Sequence, residues 1–232
     1  LPSRIGRYID LEKTGKESGL SMQGREKGIR QLMAINMLKR LESSVNSFRL
    51  TIQRIQELIQ NTISRIENFA QGRYEYTSLE TEDYYPSMVA EEEEFYGSSF
   101  IGGKKTKIDL ADMDYASWRQ YLIQDKETLN FLLTMLQDIT PLHDSKLQQL
   151  IADLDYKFTH PINGENKKVL IFTAFSDTAD YLFANVSRFA KENFGLETAE
   201  ITGTVDGKTT IPKLRADLNT VLTCFSPISK GK

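Results

Sequence analysis

A chain of 232 residues, 40% hydrophobic and 26% charged with a net charge of −3, has enough apolar material for a core and enough length for one large domain or two small ones. No stretch approaches the roughly 18 unbroken apolar residues of a membrane span, and residues 1–20 carry Arg4, Arg7, Lys13 and Lys16 where a signal peptide has its apolar core, so a soluble, unexported chain is expected. The single Cys224 allows no internal disulfide, and with His143 and His160 it is too sparse for a metal site, which points to a reducing, cytoplasmic compartment.

The net charge hides three blocks. Residues 1–70 hold 12 Lys and Arg against 7 Asp and Glu, residues 71–145 hold 6 against 15, and residues 146–232 hold 11 against 10. A basic first block is compatible with nucleic acid, although a moderately basic helix is more often a solvated face.

In chain order, residues 1–28 contain Gly6, Gly15, Gly19, Gly24 and Gly28 among polar residues without sustained periodicity and read as a linker. A helical hairpin over residues 29–140 follows. Leu41, Val45, Phe48, Ile52, Ile55, Ile59, Thr62, Ile66 and Phe69 step by four and three, which averages the 3.5-residue repeat of a coiled-coil seam. One helix over residues 41–69 would extend about 43 Å at 1.5 Å per residue and requires a partner helix. Tyr115, Trp118, Leu122, Asp125, Leu129, Leu132, Leu136 and Ile139 supply a matching seam that ends before Pro141, so the spacing predicts an antiparallel hairpin. Its connection, residues 71–111, is far longer than an ordinary helix-to-helix loop and carries Glu91-Glu92-Glu93-Glu94, Pro86, Tyr84, Tyr85 and Phe95. A protruding or partly disordered acidic tip is expected there, either a docking element or nucleic-acid mimic or, more often for such a run, simply a solvated loop.

Residues 141–232 change character. Asp144 or Ser145 can cap a short helix with Leu147, Leu150, Ile151 and Leu154 on one side, and Pro161-Ile162-Asn163-Gly164 reads as a turn. The run Val169-Leu170-Ile171-Phe172 has no polar interruption, the pattern of a central strand buried on both faces. Ser176 or Asp177 can then cap a helix that buries Leu182, Val186, Phe189 and Ala190 and that Gly195 closes. A second short strand over 198–202 ends at Gly203, and a last helix from Pro212 buries Leu214, Leu218, Val221, Leu222 and Phe225. Strand, helix and strand imply a parallel α/β sheet, yet two strands are too few to shield the first one on both edges. The chain is therefore expected to be a piece of a longer protein, or to have its sheet completed by another chain.

Two glycine-rich segments fail as phosphate loops. In residues 97–104, Gly103 stands where the lysine belongs, and Gly203-Thr-Val-Asp-Gly207-Lys208-Thr209 has three intervening residues where four are needed. The second segment still reads either as a strand-end loop touching a phosphate backbone or as an ordinary turn.

Lys168-Val-Leu-Ile-Phe-Thr-Ala-Phe-Ser-Asp-Thr178, followed by a helix and by Ala199-Glu-Ile-Thr-Gly203, resembles the start of the second RecA-like lobe of superfamily-two helicases, closest to the Swi/Snf-related bacterial translocases. Met37-Leu-Lys-Arg-Leu-Glu-Ser-Ser44 and Asp144-Ser-Lys-Leu147 resemble segments that lead into this lobe in bacterial members, and Arg215 resembles an arginine of the family's next helix. The resemblance implies a partial RecA-like parallel sheet behind a helical hairpin, in a chain mostly α overall. It implies nucleic-acid contacts through Thr173, Phe175, Ser176, Asp177, Thr202, Gly203 and Lys208, made to phosphates and indifferent to base sequence. DNA and the remaining helicase lobe would be the partners, with no membrane.

The family's P-loop, Asp-Glu metal motif and arginine-finger motif have no counterpart in this chain. ATP and Mg are therefore expected in the intact parent protein and not on this fragment, with no catalytic and no metal-ligating residue here. A competing reading makes the hairpin a protein-interaction module with the α/β part as its anchor. A third, a phosphate-binding or receiver-like enzyme, lacks a paired-acid cluster at a strand end. Beside these readings, Ser176 and Asp177 can be plain helix caps, Trp118 and Phe48 seam packing, and Lys39-Arg40 a solvated face.

Overall fold

The computed structural model describes residues 22–73, 78–79, 108–162, 164–203, 207–227 and 229. Most of the lead-in and most of the acidic connection, including Glu91-Glu92-Glu93-Glu94, Tyr84, Tyr85 and Phe95, lie outside the described residues. The elements are helices α1 (Met22–Ser43) and α2 (Val45–Ala70), strands β1 (Ser78–Leu79) and β2 (Ile108–Asp109), helices α3 (Tyr115–Gln137), α4 (Ser145–Thr159) and α5 (Ser176–Phe194), strands β3 (Ala199–Glu200) and β4 (Lys208–Thr209), and helix α6 (Leu218–Phe225). The described residues are mostly helical. They divide into two compact units, one built from those up to Lys39 and those within 49–136, the other from Arg40–Phe48 and those from Gln137 onward.

In the first unit, α2 and α3 run antiparallel. Arg49 donates to the Leu136 carbonyl at 2.8 Å, Gln56 to Asn130, Lys126 to Gln60 and Arg119 to Glu67, so that ascending positions on one helix meet descending positions on the other. Ile63, Ile66, Leu110 and Leu122 form the buried cluster, with Ile59, Phe69, Met113, Trp118 and Ile123 packed around it. Phe69 meets Tyr115 edge-on with ring centroids 5.4 Å apart. The helix does not begin at residue 29, since Met22–Gly28 is already helical and the glycines at 24 and 28 sit inside α1. Nor is it one uninterrupted rod. Ser44 drops out of the helix, its hydroxyl accepting from the Ser47 amide at 2.9 Å as an N-cap does, while the Ser44 amide still donates to the Arg40 carbonyl. Asp125 of the α3 seam is exposed, as its charge requires. The β1–β2 pair is antiparallel, with Ser78 opposite Asp109 and Leu79 opposite Ile108.

The second unit has its core between α4 and α5. Leu154, Phe158, Val186 and Ala190 are buried, and Val169, Leu150, Phe189 and Phe194 pack on them. Asp144 caps α4 by accepting from the Leu147 amide at 3.1 Å, and Gly195, at φ 63°, closes α5 in the left-handed conformation.

The expected parallel sheet is not what forms. Residues 167–173 belong to no sheet among the described residues, and Leu170, Ile171 and Phe172 are exposed by 63%, 41% and 89% while Val169 alone enters the core. A two-face buried strand needs neighbours on both edges and apolar cover on both faces, and among the described residues the run has only the packing of Val169 on the α4–α5 core. β3 pairs antiparallel with β4, Ala199 opposite Thr209 and Glu200 opposite Lys208. Chain length explains this, because the few residues from 201 to 207 suffice for a hairpin while a parallel crossover takes a dozen or more. The last helix also starts later than Pro212. Asp217 caps it by accepting from the Thr220 amide at 3.0 Å, and Pro212 lies in a preceding turn where Lys213 adopts φ 63°.

Gly207 enters β4 with no room for a side chain. A Cβ there would lie 2.2 Å from the Ala216 carbonyl oxygen and 2.8 Å from that of Glu200. Since both are backbone atoms that no rotamer can move, Gly207→Ala is expected to lower stability by about 1–3 kcal/mol, seen as a lower urea midpoint at unchanged slope.

Candidate functional site

The site is assembled by the end of α1. Arg40 is fully buried, its Nη1 3.1 Å from Asp177 Oδ2 and its guanidinium 4.7 Å above the centre of the Phe175 ring. It is not part of a solvated face, although Lys39 beside it is exposed. Three residues on, Ser43 Oγ lies 2.8 Å from Thr178 Oγ1. Together these contacts seat the start of α5 on the end of α1. Neither Ser176 nor Asp177 is the cap of α5. That position belongs to Phe175, which makes no side-chain cap bond, while its carbonyl accepts from the Thr178 and Ala179 amides and its own amide meets Thr173 Oγ1 at 3.4 Å. Asp177 instead lies in the first turn, where its charge suits both the helix dipole and Arg40.

α4 contributes the opposite wall. The carboxylate of Asp144 is buried, with one oxygen taken by the Leu147 amide and the other accepting from the Tyr181 hydroxyl at 3.0 Å. Lys146, in the first turn of α4, donates to the Glu42 carbonyl at 2.6 Å. Between these walls lies an open cleft of about 360 Å³ lined by the polar Ser43, Ser44, Lys146, Thr173 and Thr178 and by the apolar Leu147, Leu150, Phe172 and Leu182.

The residues singled out from sequence fall into two groups. Thr173, Phe175, Ser176 and Asp177 gather at the start of α5, where Thr173 lines the cleft, Ser176 is half-buried and Asp177 is buried in its ion pair. Thr202, half-buried, and Gly203, exposed, follow β3 on the hairpin and do not line the cleft. Lys208 is on β4 with its ammonium against Asp180 and 3.4 Å from Glu200 Oε2, so its charge is already met by two carboxylates. Burial pushes the Glu200 carboxyl above its ordinary range even with Lys208 beside it.

Ser43, Ser44 and Lys146 were not among the expected site residues. Ser43 and Ser44 sit beside the seam position Leu41, and the seam pattern conceals them, because a 3.5-residue count records apolar positions and passes over the hydroxyls between them. Their signal was the Ser-Ser pair interrupting a helical pattern, a residue type that favours caps over helix interiors. Among the described residues no three His, Cys, Asp or Glu side chains are placed together to hold a metal ion. No helix among the described residues is long and apolar enough to cross a membrane. Comparison with family models, with curated proteins and with solved structures returns no match to this chain.

Proposed function

We propose that the chain is part of an ATP-driven DNA translocase or helicase of the superfamily-two type, containing the start of its second motor lobe and a helical hairpin, and working in the cytoplasm. ATP and Mg would act in the parent protein with the remaining lobe, and this portion would contribute contacts to nucleic-acid phosphates that do not read base sequence. One observation carries the reading. The segments Met37-to-Ser44 and Asp144-to-Leu147, which share with residues 168–178 the resemblance to that lobe, are 100 residues apart in the chain, yet Ser43, Ser44, Asp144 and Lys146 line the same cleft as Thr173 and Thr178. The exposed apolar run Leu170-Ile171-Phe172 supports it further, because a run of this kind would be covered if it became a strand within a larger sheet.

Fluorescence anisotropy with labelled 12-nucleotide single strands of two unrelated sequences tests the proposal on the 232-residue chain. Weak binding, equal for the two sequences and falling with salt, is the expected result. Thr173→Val should weaken both affinities several-fold without altering the salt slope, since a hydroxyl carries no charge. Absence of binding, or a marked preference for one sequence, would remove the nucleic-acid reading.

The interaction-module reading is favoured by a different feature. Tyr121, Phe131 and Met135 are exposed by 65%, 66% and 59%, and at 100° per residue they fall within an arc of about 80° on α3. Failure of every oligonucleotide to bind would leave that face as the better guide to function.

A further inference from the structure

We propose that Lys146 supplies the positive charge of the cleft, its ammonium and the hydroxyls of Ser43 and Thr173 holding one backbone phosphate of a nucleic-acid strand. The inference rests on the nucleic-acid reading and adds to it the cation responsible and the group it holds. Two other cations of the second unit, Lys208 and Arg40, are already committed. Lys208 lies against Asp180 and Glu200, and Arg40 is buried beneath Phe175 in its pair with Asp177. Lys146 differs from both. It is exposed, and among the described residues it is in no ion pair, its hydrogen bond going to the neutral carbonyl of Glu42 at 2.6 Å.

That carbonyl does more than fill a donor. Glu42 is the penultimate residue of α1, where the helix presents its negative end, so the ammonium is drawn to the cleft immediately beside Ser43. An ammonium has three N–H donors, and one carbonyl leaves two for an anion. Thr173 lines the same cleft with a neutral donor, and Ser43 adds a second when Thr178 is the donor of the bond between them, which leaves the Ser43 O–H for the anion. The charge working against an anion is Asp144, whose buried carboxylate is engaged by the Leu147 amide and the Tyr181 hydroxyl. It lowers the attraction, so the subsite holds a single phosphate weakly. A volume of about 360 Å³ lies at the small end of ligand pockets, room for one nucleotide unit and not for a duplex.

The test is a salt titration of fluorescein-labelled dT12 binding to the wild-type chain and to Lys146→Ala, Lys146→Arg and Lys208→Ala, with circular dichroism to confirm that each variant is folded. Inorganic phosphate at fixed ionic strength serves as competitor. Lys146→Ala should lower the slope of log affinity against log salt by about 0.7, the share of one neutralised phosphate on a single strand, and Lys146→Arg should restore it. Lys208→Ala should leave the slope as it is. If dT12 binds and Lys146→Ala keeps the wild-type slope, this inference falls while the nucleic-acid reading survives. If no variant and no wild-type chain binds dT12, both fall. If inorganic phosphate binds through Lys146 while dT12 does not, the cleft is a site for a free anion, and the assignment to a strand's backbone is withdrawn.

Discussion

Arg40→Ala is expected to lower the unfolding free energy of the second unit by about 3–5 kcal/mol, the usual loss when one member of a buried ion pair is removed. The reason lies in what stays behind. Asp177 is 7% exposed, and without the guanidinium 3.1 Å away its carboxylate remains in a place that water scarcely reaches. Arg40 also covers the Phe175 ring, so truncation loses packing along with charge. Urea unfolding followed by far-ultraviolet circular dichroism measures the change. The pair itself need not be a net source of stability, since buried pairs are often replaced by apolar residues at little cost. Arg40→Met combined with Asp177→Leu should therefore recover most of the loss. If Arg40→Ala alone costs less than about 1 kcal/mol, the end of α1 is not what seats the start of α5, and the cleft is held in some other way.

The same residues show where sequence reasoning reaches and where it stops. Helices α2 and α3 were legible because burial repeats at 3.5 residues, and Ile52, Ile66 and Leu122 are buried as that period requires. Gly195 was legible as the close of α5, since the left-handed conformation it adopts is one few other residues accept. Arg40 could not be read. A basic residue in a polar stretch looks solvated, and its burial depends on Asp177, 137 positions later. The sheet misled for a related reason: four apolar residues in a row record the burial that a strand is suited to, not the burial that the surrounding chain supplies. Proline at 212 suggested a helix start, yet the helix begins where Asp217 can satisfy an amide. The capping side chain of Asp217, which the hydrophobic pattern does not record, sets where the helix begins.

Ile66→Ala is expected to destabilise the first unit by about 2–5 kcal/mol, the range for truncating a buried aliphatic side chain. Ile66 is fully buried and belongs to the cluster with Ile63, Leu110 and Leu122, which come from three separate segments. Leu110 reaches it from a single 3₁₀ turn, Leu110–Asp112, held by Asp109 accepting from the Ala111 amide at 2.9 Å. A short turn tied in this way has little freedom to collapse into the space that Ile66 would vacate, so a value toward the upper half of the range is expected. Trp118, the only tryptophan, packs against this cluster and reports its loss directly by fluorescence in a urea titration. Leu38→Ala is the internal comparison. That side chain is 64% exposed on α1, and its removal should change stability by no more than about 0.5 kcal/mol. Equal effects of the two substitutions would mean that the α2–α3 seam is not the core of the first unit, and the antiparallel packing inferred from its hydrogen bonds would have to be abandoned.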